Sequence, residues 1–223
     1  MRTRNAGFTL VEILIVVAII GVLAAIAVPN FIRFQARSKQ AEAKTNLRAV
    51  FVGQRAIFSE QGRYASLIGD LGFAPNRGNR YYYDIGEPGS PGTPCSGGES
   101  RSTAIATLTN PLCAVHADSL RYGPSYAGGV LNSSAALPGA GTVSWSVAAV
   151  GVAPPASHWG VFGVCPQCSF SASAIGQVDL DDGFDFFTVS SEFTSMATAT
   201  CAEQVPQNQP GSALNVRNDV GCD

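Results

Sequence analysis

Cys165-Pro-Gln-Cys168 has the spacing at which two thiols interchange with a disulfide, so dithiol chemistry is the first activity to weigh in this 223-residue chain. A redox motif of that kind normally opens a helix after a strand. Here it follows the strand-like run Trp159–Val164 and leads into Ser-rich sequence, a setting that favours a structural disulfide or short clip. A membrane-tethered thiol oxidoreductase using Cys165 and Cys168 is the rival reading. Zinc needs four well-spaced ligands, and beyond that motif there are scattered cysteines, His116 and His158. Asp179-Leu-Asp-Asp-Gly-Phe-Asp185 resembles half of a calcium loop. Its glycine, Gly183, falls one position early, and Ser190 stands where a bidentate Glu is required, so a solvated turn is expected. The chain has no Gly-x-Ser-x-Gly, phosphate-binding loop or His-Glu-x-x-His. The expectation is a protein that is not an enzyme, with no cofactor and no metal.

The cysteines Cys95, Cys113, Cys165, Cys168, Cys201 and Cys222 all follow the apolar N-terminal run. An even number confined to one part of the chain predicts disulfides in an oxidising compartment. Pairing in sequence order, Cys95–Cys113, Cys165–Cys168 and Cys201–Cys222, makes each closure entropically easy, although six cysteines allow other connectivities. The two longer loops would each contribute roughly 3 kcal/mol.

Glu12 is the other informative residue. From Phe8 to Ile32 it is the only charge, and that stretch as a helix would measure roughly 37 Å, enough for a bilayer core of about 30 Å. A cleaved secretory signal would be shorter and end at a small-x-small site, whereas this run continues through Pro29 and Phe31 into a long polar helix, as a retained anchor does. A carboxylate inside the run costs about 2.5–3.5 kcal/mol on insertion scales and calls for a partner. No residue from Phe8 to Ile32 supplies a positive side chain. If the chain were cut after Gly7, the new α-amino group of Phe8 would be a cation at the right depth, and Phe8 and Glu12 share a helix face.

The elements that must hold these residues follow from periodicity. Leu47, Val50, Phe51, Gln54, Ile57 and Phe58 keep helical spacing, and all but Gln54 are apolar, so this part of the helix should bury a stripe against a sheet until Gly62 ends it. Gly21 and Pro29 weaken the long helix, since proline removes a backbone donor. Ala104–Thr109, Thr142–Val152, Trp159–Val164 and Phe184–Ser190 read as strands; residues 86–100 and 123–142, rich in Gly, Ser and Pro, read as surface loops. One long helix followed by short strands indicates an α+β domain, the helix packed on an antiparallel β-sheet. Residues 1–63 carry nine Arg and Lys against Glu12, Glu42 and Glu60, while residues 64–223 carry five Arg and thirteen acids. The two parts face different surroundings, and the acidic, Lys-free part offers no basic patch for nucleic acid.

Met1-Arg-Thr-Arg-Asn-Ala-Gly7 followed by Phe8-Thr-Leu-Val-Glu12 resembles the type IVa prepilin signature, a short basic leader ending in Gly before Phe-Thr-Leu-[Ile/Val]-Glu and an apolar helix. Arg33-Phe-Gln-Ala-Arg-Ser-Lys39, Gly72–Tyr81, Cys165–Cys168 and Val216–Cys222 resemble major pilins of the myxobacterial type. The resemblance implies a leader over 1–7, cut after Gly7 by a membrane prepilin peptidase that methylates the Phe8 amine. It implies a transmembrane and filament-core helix over 8–34, an amphipathic continuation over 35–62 and a β-rich pilin domain over 63–223. It further implies that Glu12 and Phe8 act in assembly and that Gly21–Pro29 unwinds when the filament forms. The expected product is a homopolymeric helical filament for adhesion and twitching-type motility, assembled by machinery in the inner membrane, where the precursor resides, and displayed on the cell surface. A pseudopilin of type II secretion, which shares the N-terminal signature, is the structural alternative.

Overall fold

The apolar run and the amphipathic stripe form one helix, α1, over Leu10–Gln61. The computed structural model describes residues 7–90, 92–99, 101, 112–123, 143–145, 160–178, 184–196 and 208–218. It divides into two compact units, Met1–Ser38 and Lys39–Asp223, so the division falls a few residues beyond the expected change of role at 34/35. α1 is continuous through Gly21 and Pro29. Near the proline, the Asn30 amide donates to the Ile26 carbonyl at 3.2 Å. The helix stops where a residue without Cβ permits it: Gly62 takes φ 67° and its N–H donates to Phe58 O at 2.9 Å.

In the second unit, α1 buries Gln40, Ala43, Leu47, Val50 and Gln54, alternating steps of three and four that keep one face on the sheet. Gln54 is buried because its amide clamps the chain after the helix, with Nε2 donating to Ala65 O and Oε1 accepting from Ala65 N–H, both at 2.8 Å. Phe58 stacks on Tyr64 at 4.6 Å, and Tyr64 meets Phe170 of the sheet at 4.7 Å.

The main sheet joins β1 (Tyr81–Asp84), β2 (Gly98–Glu99), β3 (Ala114–Val115), β5 (Gly160–Val164), β6 (Gln167–Gly176), β7 (Asp185–Ser190) and β9 (Leu214–Arg217). Its order is β2-β3-β1-β6-β7-β9, with β5 also paired to β6. All these pairings are antiparallel except the short parallel contact of β2 with β3. β6 pairs with β7 along one edge; along the other, Gln167–Ser171 meet β5 and Ser173–Gly176 meet β1. β4 (Val143–Trp145) and β8 (Thr194–Met196) form a separate two-stranded ladder, and a four-residue helix, α2, covers Ser119–Tyr122.

The expected strand at Trp159–Val164 is present as β5 and that at Phe184–Ser190 as β7. Of Thr142–Val152 only Val143–Trp145 is described, as β4, and Ala104–Thr109 lies outside the described residues, as does 124–142. Besides the short β2, β3 and β8, three longer strands are absent from the sequence reading. β1 is Tyr-Tyr-Tyr-Asp, buried on both faces and so without alternation. β6 is the Ser-rich stretch after Cys168, where Ser169, Ser171 and Ser173 are buried among neighbouring strands. β9 forms in a tail whose composition reads as loop. Each is held by cross-strand burial, which overrides composition.

Candidate functional site

The N-terminal segment is built around one turn of helix. Thr9 precedes the first helical residue and Glu12 is third within it. The Glu12 N–H donates to Thr9 Oγ1 at 3.3 Å, while Glu12 Oε2 accepts from the Thr9 N–H at 2.8 Å and the Thr9 hydroxyl at 2.7 Å. This is a reciprocal capping box, and it satisfies donors that the first turn of any helix leaves open. It gives Glu12 a neutral local partner, Thr9, in place of a cation. The signal was legible: Thr9-Leu-Val-Glu12 has the Thr-x-x-Glu spacing of such a box.

Around that turn the surface is apolar and open. Phe8 is 84% exposed and Phe34 71% exposed, with Leu10, Val11, Leu14, Val17, Ile20, Leu23 and Ile26 exposed between them. Exposed apolar residues along this length of helix cannot be the finished state of a chain in water. The apolar part of α1 is long enough to cross a bilayer. Gly7 and Gly21 are exposed as well, with no side chain close to either.

In the second unit, buried polar groups tie helix to sheet. Asp185 is fully buried; Oδ1 accepts from Gln40 Nε2 at 2.8 Å and Oδ2 from the Tyr81 hydroxyl at 2.9 Å. Both carboxylate oxygens are thus bonded, one to α1 and one to β1; the half calcium loop that Asp185 would close, 179–183, lies outside the described residues. Lys39 Nζ donates to Val178 O at 2.7 Å. Glu42 Oε1 accepts from Arg80 N–H at 2.9 Å and from the Tyr83 hydroxyl at 3.4 Å, and burial pushes its carboxyl above the ordinary range.

Two disulfides are present among the described residues. Cys95–Cys113 joins the loop after β1 to the residue before β3. Cys165–Cys168 spans the two-residue turn between β5 and β6, with Cys168 packed on Tyr64 and Phe170. The motif therefore closes a hairpin and opens no helix. Cys201 and Cys222 lie outside the described residues. Glu87 lies near Cys95 and Cys113, a grouping able to hold a metal only if those sulfurs were not already joined to each other. Arg101 is buried: its Nη1 donates to Pro75 O and Asn79 Oδ1, each at 2.9 Å, and its Nε lies 3.3 Å from Glu99 Oε1.

An exposed apolar helical segment, capped by its one acid, and a domain with a mostly antiparallel sheet and disulfide-closed loops are the architecture of a pilin. The comparisons with known proteins agree. A model described as type IV pilin PilA matches residues 34–185, and one for the prokaryotic N-terminal methylation motif matches residues 2–28. The chain belongs to the type IV pilin PilA family. It is 40% identical to the type IV major pilin protein PilA of Myxococcus xanthus (strain DK1622), over 99% of this chain and 94% of that relative. Shorter stretches resemble the type IV major fimbrial protein FimA of Dichelobacter nodosus, 56% identical over 18% of this chain and 25% of that one, and the fimbrial protein EcpC of Eikenella corrodens, 52% identical over 27% and 37%.

Proposed function

We propose that this chain is the major subunit of a type IV pilus, made as a membrane-anchored precursor and polymerised into a surface filament. The observation that carries this reading is the exposed apolar part of α1, which starts two residues after Phe8 and carries Glu12 as its one charge. A prepilin peptidase cuts after Gly7 and methylates the Phe8 amine, as the methylation-motif match over residues 2–28 supports. Until assembly, the apolar part of α1 sits in the inner membrane, and the cysteine-bearing part lies on the oxidising side. Assembly machinery in that membrane then passes subunits into the filament, where apolar helices bury one another.

Glu12 provides selectivity in that step. In the single subunit its carboxylate is held by Thr9. In the filament, the Phe8 amine of one copy meets the Glu12 of the next and sets their axial register. Apolar contacts alone are indifferent to small axial slips, whereas an ion pair out of water is not; polar groups that fix register are the best-attested use of such pairs. The stretch from Gly21 to Pro29, weakened by a missing N–H, is where α1 yields during packing. No chemical step is assigned to Cys165 and Cys168, which act as a clip.

Full-length Glu12→Leu tests the reading. The leader should be removed and the subunit should stay in the membrane, since the change removes an insertion cost of about 2.5–3.5 kcal/mol. Fibres sheared from the surface should be lost. Normal fibres from this variant would sink the register mechanism, and uncut precursor would assign Glu12 to peptidase recognition. Abundance of the unaltered chain in sheared fibres, with Phe8 as its N-terminal residue, separates a pilus subunit from a secretion pseudopilin.

A further inference from the structure

Within the compact unit that begins at Lys39, α1 turns Ala43, Leu47, Val50 and Gln54 onto the sheet and leaves its opposite side open. At 3.6 residues per turn, Lys44, Arg48 and Arg55 fall together on one edge of that open side, about 100° from the buried face. All three are exposed, and Arg48 borders a groove of about 430 Å³ with Lys44, Asn208 and Ser212. Its Nη1 donates only weakly to Gly211 O, at 3.4 Å. Arg55 faces the half-buried Glu192 without forming an ion pair with it. Glu60 and Asp70 are the exposed acids among the described residues of this unit, and both lie on the other edge. Glu60 follows Gly53 by seven residues, two turns along the same line. Asp70 sits in the short turn Gly69–Leu71 that packs on Gly53, where an added Cβ would lie 3.1 Å from Leu71 O. Neither acid is in an ion pair among the described residues. Glu60 also stands in the last turn of α1, which has no basic residue, so its charge adds to the negative end of the helix dipole. Between the two edges Ala49, Val52 and Ala56 are exposed, and they are small enough for a second helix to come close.

We propose that this side of α1 is a contact between parallel copies of the chain, in which Arg48 and Arg55 of one copy pair with Asp70 and Glu60 of the next. The inference rests on the pilus reading, which supplies the second copy; every position it uses lies within the second unit. Parallel helices that face each other bring unlike edges together, whereas antiparallel ones oppose like charges. Spacing then decides the match. Arg48 and Arg55 are seven residues apart, and Asp70, level with Gly53, lies the same seven residues before Glu60. One displacement of about five residues, roughly 7–8 Å, therefore brings both pairs level at once. A single shift that satisfies two pairs selects one register, and the guanidinium forks suit exposed carboxylates. Because the two edges differ, the contact repeats from copy to copy, as an open helical polymer requires.

The test uses full-length chains and measures leader removal, membrane level and sheared fibres. Arg48→Glu and Asp70→Lys, expressed singly, should each be cut and retained in the membrane yet give at least about tenfold fewer fibres. Combined in one chain they should recover fibres, and so should the two single variants co-expressed, as mixed fibres containing both chains. Arg55→Glu and Glu60→Lys should behave in the same way. The crossed combination, Arg48→Glu with Glu60→Lys, should stay deficient; its recovery would mean attraction without register and overturn the pairing. Recovery within one chain but not on co-expression would place the contact inside the subunit and overturn the proposal. Arg48→Gln and Asp70→Asn guard against misfolding, since both residues are exposed: each should reduce fibres at an unchanged thermal midpoint of the detergent-solubilised chain. Normal fibres from both neutral variants would end the proposal while leaving the pilus reading intact; absence of the unaltered chain from fibres would overturn both.

Discussion

Asp84 shows how much of this domain depends on single buried groups. It is 1% exposed, and its carboxylate accepts from Gly86 N–H at 2.7 Å, Cys95 N–H at 3.0 Å and the Tyr82 hydroxyl at 3.1 Å. Those donors tether the loop that carries Cys95 to the end of β1. Burial outweighs them and pushes the carboxyl up from 3.8 to about 6. The folded chain therefore binds this proton more tightly than the unfolded chain does. The group's contribution to stability is fully present below pH 3.8 and is lost as pH rises through about 6. In thermal melts of the full chain across that window, the midpoint of the unaltered protein should fall relative to that of Asp84→Asn. A difference independent of pH would mean that the bound N–H groups fully offset the effect of burial.

Among the elements, α1 shows two ways in which a helix commits itself. At its start the Thr9–Glu12 box acts locally, and at Gly62 a left-handed residue ends it. Against the sheet, one buried amide does what an apolar residue cannot. Gln54→Leu roughly preserves bulk and completes the apolar stripe, but strands the N–H and C=O of Ala65, which otherwise pair with the Gln54 amide. Leaving buried backbone groups unsatisfied costs about 1–3 kcal/mol each, so Gln54→Leu should lower stability by at least about 1 kcal/mol in denaturant titrations of the detergent-solubilised chain. Equal or greater stability would show that the clamp is dispensable. A similar constraint acts from the sheet side at Gly211, whose φ is 76° and where an added Cβ would lie 2.5 Å from the Phe51 ring.

Across the whole molecule, the sheet's weakest margin is the β2–β3–β1 end. β2 and β3 are two residues each and pair in parallel, a contact too short to persist without help. The help comes from Cys95–Cys113, a separation of 18 residues, and from Arg101 with its bonds to Pro75 and Asn79. Replacing both cysteines by serine should cost about 3 kcal/mol, read from the denaturant midpoint of the full chain against the unaltered protein. Because α1 up to Ser38 belongs to a separate unit, cleavage and membrane retention should be unchanged in that variant. An unchanged midpoint would mean that Arg101 and the surrounding bonds hold this margin alone.

Features that act over a few residues were legible from the chain alone: the apolar run with its lone Glu12, the stripe from Leu47 to Phe58 and its stop at Gly62. Each depends on spacing along one helix or on bonds between near neighbours, and near neighbours are written side by side. The Thr9–Glu12 cap belongs with them, since its hydroxyl lies three residues from the carboxylate it serves. The reason for Gln54 in an apolar stripe, the strand character of Tyr81–Asp84 and of the Ser-rich β6, and the depth of Asp84 and Asp185 came only with the folded chain. Those outcomes rest on partners from 11 residues away, as for Gln54 and Ala65, to 145 away, as for Gln40 and Asp185, and their free energy comes from surface that is buried only once the chain has closed on itself.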